Sequence, residues 1–316
     1  VAAIKSASAN AIIGVRPGTY TAVSASSSSK TNVTIRPTDR KNPPRFTSSF
    51  VIEGSRGITL DGLLFYSNQQ DRGYPAGSAL NVQKSSNMAV RNCTFNGYMT
   101  QLNASNLSNS VIEWNEFTGC GMDSIRVYNT VVNVSIRHNL IHKPHIDASR
   151  TQEVNDKGVQ GRHPDICQFA LSGSAPPAQN VVLEDNVLIG WAGYQQGPFI
   201  FNEDIVRSGG VWPARAFKNI VVRNNYIEVG HAIGIAIGGT QNTLLTGNLI
   251  RTIPGGKGVP SIIIYGRLNG SGSINSGTIS NNVMPRDFYL LNGGTLSGMS
   301  LSGNTISTTA VPKGWV

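Results

Sequence analysis

Short apolar runs of four to eight residues, rich in Val, Ile and Leu, recur along the chain between clusters of Gly, Asn and Ser. Their spacing is that of β-strands; no helical periodicity appears after residue 12. One pattern returns nine times: an apolar residue, two variable residues, Asn, one variable residue, another apolar residue. It reads VIEWNEF at 111–117, VSIRHNLI at 134–141, VVLEDNVLI at 181–189 and IVVRNNYI at 220–227. TLLTGNLI at 243–250, GTISNNVM at 277–284 and MSLSGNTI at 299–306 follow. Two earlier copies, ITLDGLLF at 58–65 and MAVRNCTF at 88–95, carry Leu63 and Cys93 in the Asn place. The markers fall at 63, 93, 115, 139, 186, 225, 248, 282 and 304, and their shortest separations are 22–24 residues.

A second strand-like run precedes most copies, such as ALNV at 79–82, SIRVY at 124–128, ICQFA at 166–170, FIFNE at 199–203, GIAIG at 234–238 and IIIYG at 262–266. A coil of about 22 residues holding two or three short strands predicts an all-β chain: one parallel β-helix domain over 1–316. Successive coils would stack about 4.8 Å apart. The repeated Asn would then form an internal ladder and serve the left-handed bend between strands. The opening VAAIKSASAN at 1–10 reads as a short amphipathic helix capping the first coil, because a stacked solenoid must cover its terminal apolar face. Asn-X-Ser/Thr triplets, as at Asn92, Asn103 and Asn133, read as products of the repeat composition rather than glycosylation signals.

Charged residues make up only 14% of the chain, yet the net charge is +9. Such a surface attracts polyanions. The Lys and Arg are scattered singly, without the basic block of a nucleic-acid arm, so an acidic polysaccharide is the expected partner and nucleic acid is not. No apolar run of about 18 residues exists, so no membrane span is expected. Three cysteines, Cys93, Cys120 and Cys167, read as small buried hydrophobes rather than a disulfide or zinc framework. A chain that begins at Val1 reads as a fragment or a processed form, and a secreted, extracellular or phage-particle location is the expectation.

IIGVRPGTYTA at 12–22, ITLDGLLF and the repeated Asn-marked coils resemble the right-handed parallel β-helix proteins of the pectate-lyase-like superfamily, over about residues 10–307. That resemblance implies a carbohydrate-active enzyme whose substrate groove runs along one strand face. The signatures of its named subfamilies are absent or reduced to HPDICQ at 163–168, so the resemblance assigns no catalytic residue.

Candidate chemistry comes instead from where the period breaks, since inserts in a solenoid become loops on its binding face. The longest gaps contain 142–162 and 207–218. Between these inserts lie the polar strands HPDICQFA and GPFIFNED. Aligning them through Pro164 and Pro198 sets Asp165 beside Phe199 and Phe169 beside Glu203, with Arg126 near Cys167 and Tyr128 near Phe169. The expected catalytic set is His163, Asp165, Arg126, Tyr128, Glu203 and Asp204. The expected substrate-binding set is Gln168, His145, Lys143, Arg150, Arg162, Asn202, Arg207 and Trp212. Side-chain alternation aims Gln168 away from the groove in this alignment.

The leading expectation is a lyase that cleaves an acidic, uronate-containing polysaccharide by β-elimination. His163, His145, Lys143 or Tyr128 would supply the base, and Arg126, Arg150, Lys157, Arg162 or Arg207 the neutralising charge. The alternatives are a glycoside hydrolase using Asp165 with Glu203 or Asp204, and a non-catalytic glycan-binding fibre or adhesin segment. No cofactor is required; calcium held by Glu203, Asp204 and Asp165 is an allowed addition. Monomer and homotrimer both fit.

Overall fold

A computed structural model describes residues 2–21, 23–26, 32–67, 78–144, 164–171, 175–193, 195–207, 214–267 and 274–308. Within them the chain coils as a parallel β-helix. Every strand pairing is parallel and joins a strand to its equivalent one coil later, as in Val111–Glu113 against Ser135–Arg137. The described strands form a 20-stranded and an 11-stranded sheet. The larger sheet supplies two faces, because the strands Thr100–Glu113 and Asp123–Arg137 run through the corner between them.

We call these the front and side faces, and the smaller sheet the back face. The front face includes Ser78–Ser86, Asp165–Ala170, Gln196–Phe201, Ile233–Gly238, Ser261–Tyr265 and Tyr289–Leu291. The side face includes Ile58–Asp61, Gln179–Glu184, Val221–Arg223 and Asn275–Ser280. The back face includes Leu64–Tyr66, Glu116–Thr118 and Tyr226–Val229.

Strand alternation sends one set of side chains inward. Ile125, Val127, Cys167, Phe169, Ile200, Ile235 and Ile237 meet the equivalent residues of neighbouring coils in one core that runs from Ile4 to Met284. Phe65, Phe95 and Phe117 stack within it at centroid distances of 4.6 and 4.7 Å. Helix α1 (Ala2–Ser6) caps the first coil by burying Ile4 in this core, over fewer residues than the expected 1–10.

The Asn ladder exists. Asn115, Asn139, Asn186, Asn225, Asn248, Asn282 and Asn304 form a chain in which each side-chain Nδ2 donates to the next Oδ1 at 2.9–3.0 Å. Each acceptor oxygen also takes the preceding coil's backbone N–H, as Asn139 Oδ1 takes that of Asn115 at 3.0 Å. These buried amides satisfy corner backbone that the turn would otherwise leave without partners. The left-handed bend falls one residue earlier than expected, at Gly62, Asn92, Trp114, His138, Asp185, Asn224, Gly247, Asn281 and Gly303, all with positive φ. A second ladder lies on the surface at the front–side corner, where Asn133, Asn180, Asn219 and Asn242 each donate to the residue before at 2.7–2.9 Å, starting on Asn109. Among the described residues no helix is long and apolar enough to cross a membrane.

Candidate active site

The register on the front face differs from the sequence alignment. Arg126 pairs with Gln168, and Tyr128 with Ala170. Asp165 pairs with Gln196, and Gln168 with Phe199. Against the expected neighbours, the first offset is one residue and the second is three. A one-residue shift reverses which side chains face out. Gln168 therefore shares the outward column with Arg126, contrary to expectation, while Asp165 takes the inward parity of Cys167 and Phe169.

Asp165 is fully buried, as is Asp123 one coil earlier. The Asp165 backbone N–H donates to Asp123 Oδ1 at 3.1 Å, and Gln168 Nε2 donates to Asp165 Oδ2 at 3.0 Å. Asp123 Oδ2 and Asp165 Oδ1 are buried without a hydrogen-bond partner. Burial raises the Asp123 pKa to about 7, and the Asp165 N–H and the Arg126 charge oppose the rise. Burial and the charge of Asp123 hold Asp165 well above the usual carboxylate range, opposed by Gln168 and Arg126. Two carboxyls this close in a dry site favour a protonated member.

The expected partnership of Asp165 with Glu203 or Asp204 does not form. Glu203 lies seven residues past Gln196, the strand partner of Asp165, beyond the end of Gln196–Phe201. Helix α2 (Glu203–Val206) begins there, and Asn202 is its buried cap, accepting the Ile205 N–H at 3.3 Å and donating to the Arg215 carbonyl at 2.8 Å. Asn202 is thus a structural cap, not a substrate contact. Glu203 pairs with Arg207 at 3.1 Å and Asp204 with Arg215 at 2.7 Å. The calcium trio of Glu203, Asp204 and Asp165 is likewise not assembled. Among the described residues no three His, Cys, Asp or Glu side chains group as metal ligands.

Arg126 and Tyr128 do lie side by side on the outer front face, the guanidinium 5.1 Å from the ring centre. Arg207 covers Phe201 at 5.3 Å. Lys143 is exposed at the corner leading out of the back face. His145, Arg150, Lys157, Arg162, His163 and Trp212 lie outside the described residues.

The front face also holds a cleft of 390 Å³ that the sequence did not single out, lined by Gln196, His231, Tyr265, Arg286, Tyr289 and neighbouring apolar side chains. Register explains their meeting: Tyr289 pairs with Ile263 and Leu291 with Tyr265, so both tyrosines project outward from adjacent strands. Arg286 lies over the Tyr289 ring at 4.9 Å. The Ile233 N–H donates to His231 Nδ1 at 3.2 Å, so the neutral ring carries its proton on Nε2. Burial raises the pKa of Tyr265, helped by the charge of Asp165 and opposed by Arg207. Its phenol therefore keeps its proton at neutral pH. Along the outward column, Arg126, Gln168, Phe199, Ala236, Ile263 and Tyr289 succeed one another. Five strand spacings, roughly 24 Å, separate Arg126 from Tyr289.

Residues 10–160 match the family model described as a right handed beta helix region. The fold is a right-handed parallel β-helix. Among solved structures, this β-helix is similar to a PL6 alginate lyase in complex with a trisaccharide, with TM-score 0.59, 15% identity, and 99% of this chain covering 57% of that one. A second alginate lyase gives 0.54 at 15% identity, covering 95% of this chain and 59% of that one. A mannuronic acid specific polysaccharide family 6 lyase from human gut microbiota gives 0.53 at 16%, covering 88% and 62%. The chain thus spans less than two thirds of each of these three. The search of curated proteins gives no match. At such identities the likeness is one of fold.

Proposed function

We propose that the protein degrades an acidic, uronate-containing polysaccharide by β-elimination at the front-face cleft. The observation that carries this reading is the convergence of one guanidinium, two phenols and one imidazole in that cleft, on a chain of net charge +9. The cleft lies on an outward column with room for several sugar rings. The alginate lyases of similar fold add support.

Elimination needs the uronate carboxylate neutralised, the C5 proton removed and the leaving O4 protonated. Arg286 pairs with the carboxylate and so acidifies C5–H. Tyr289, 41% exposed at the mouth, takes the C5 proton in its deprotonated, phenolate form and returns it to solvent after turnover, while Tyr265 regains its own proton from solvent. The C4–C5 double bond forms as the C4–O4 bond breaks, and Tyr265, which holds its proton, protonates O4. His231 donates Nε2–H to a hydroxyl and positions the ring. Arg126 and Gln168 grip the polymer further along the column. The scheme requires no cofactor, and a secreted or phage-borne enzyme belongs to the same reading.

The hydrolase reading loses its support here, because Asp165 is sealed beside Asp123 while Glu203 and Asp204 are engaged by arginines. Digestion of a uronate-polymer panel decides between the reactions. Elimination gives ultraviolet-absorbing products with one fragment lacking a water. Products that gain a full water, or binding without any shortening of the polymer, would overturn the proposal.

A further inference from the structure

We infer that Trp114, backed by His138, is a second carbohydrate-binding platform on the side–back corner, away from the front-face cleft. The corner position occupied by Trp114 is left-handed in every coil from residue 62 to residue 303. Gly62, Asn92, His138, Asp185, Asn224, Gly247, Asn281 and Gly303 belong to residue types that visit this conformation readily. Trp114, at φ 56°, does not. A bulky side chain is strained there, and such strain collects where a side chain has work to do.

The ring is not used for packing. Trp114 is 58% exposed, the most exposed large aromatic among the described residues. Among the described residues its one aromatic neighbour is His138 of the next coil, stacked at 4.3 Å between ring centres and 16° between planes. On the preceding coil the equivalent side chain is Asn92, whose amide turns away to Asp61 Oδ1 at 2.9 Å. The indole therefore presents one face to solvent while the imidazole holds the other. Beside it, Arg137 pairs with Glu113 at 2.9 Å and His142 with Glu116 at 2.8 Å. These pairs keep the surround polar without covering the ring. A flat, held indole in a polar rim is what the C–H face of a pyranose ring stacks upon.

The ligand class is therefore a pyranose of a polysaccharide chain, held outside the reaction centre. Its identity as the cleaved polymer rests on the function proposed above. The test uses electrophoresis of the full chain in native gels containing each polymer of the panel. Trp114→Gly is the informative variant, since glycine suits the left-handed corner and removes the ring without straining the fold. Trp114→Gly should bind about fivefold to tenfold more weakly, the loss expected for one stacked ring. Its turnover of a trisaccharide should match that of the unsubstituted protein. Retention of Trp114→Gly equal to that of the unsubstituted protein overturns the inference, as does an unsubstituted protein that no polymer retains. Retention that depends on Trp114 in a protein that shortens no polymer would uphold the platform while sinking the lyase reading.

Discussion

The backbone N–H of Asp165 donates to the carboxylate of Asp123 across one coil, 3.1 Å away, and neither side chain touches solvent. This contact turns a residue that reads as a catalytic acid into part of the rod's interior. It also places a titrating pair at the heart of the fold, directly under the Arg126 column.

The pair sets a pH dependence of stability. Both carboxyls have folded-state pKa values raised above the unfolded value. The folded form thus holds extra protons from about pH 4 upward, and stability contributed by this pair falls as pH rises through about 7, the raised value of Asp123. Asp165→Asn keeps an acceptor for Gln168 and removes one buried acid. Its melting temperature, measured from pH 4 to 8, should decline less steeply than that of the parent. A parallel decline in the two proteins would count against the pair.

The cleft residues should separate by role. Arg286→Ala and Tyr289→Phe should each lower kcat/KM on a uronate polymer by about a hundredfold or more, the usual scale for a charge-stabilising or proton-transfer group. Gln168→Ala, on the outward column but outside the cleft, should raise KM on long polymer and leave kcat near the parent value. Initial rates followed by ultraviolet absorbance measure all three. Full activity in Arg286→Ala would remove the cleft from the mechanism.

The Asn ladder should behave as a structural spine. Asn186 accepts from Asn139 N and Nδ2, and donates to Asn225 Oδ1 and to the Ile136 carbonyl, all within 2.9–3.1 Å. Asn186→Ala strips the side-chain bonds, keeping only the backbone N–H donation to Asn225 Oδ1, and strands buried donors of Asn139, at a cost of about 2–4 kcal/mol. Urea unfolding should show the midpoint falling with little change in slope. Asn304, at the last coil, is half-buried, and Asn304→Ala should cost markedly less.

The three thiols are free and buried. Burial pushes Cys93 and Cys120 up to about 12, and burial with two nearby carboxyls pushes Cys167 up as well. A thiol reagent at pH 8 should therefore label none of them in the native protein and all three in denaturant. Labelling of native Cys167 would show that the Asp165 strand opens.

Much of the fold was legible because apolar residues at every second position and one Asn per coil are local facts about the chain. They gave the parallel coils, the ladder and the helix over the first coil. The front face was legible as a face, and Arg126, Tyr128 and Gln168 do share it. His231 and Tyr289 were not, since 58 residues separate them and each sits in an ordinary strand context. A register drawn through the strands after 196 would have placed Tyr265 and Tyr289 on the outward columns.

The sequence by itself determined the period of this protein, the alternation of side chains along its strands, and the presence of a helix over its first coil. Only the tertiary structure decided which residue of one coil lies beside which residue of the next. Apolar alternation constrains a strand modulo two residues, whereas the number of residues spent at each corner is settled by how corners pack on one another. The offsets of one and three residues carry Asp165 from the outward face to the interior, exchange its expected partner Glu203 for Asp123, and leave His231, Tyr265, Arg286 and Tyr289 together on the outer front face.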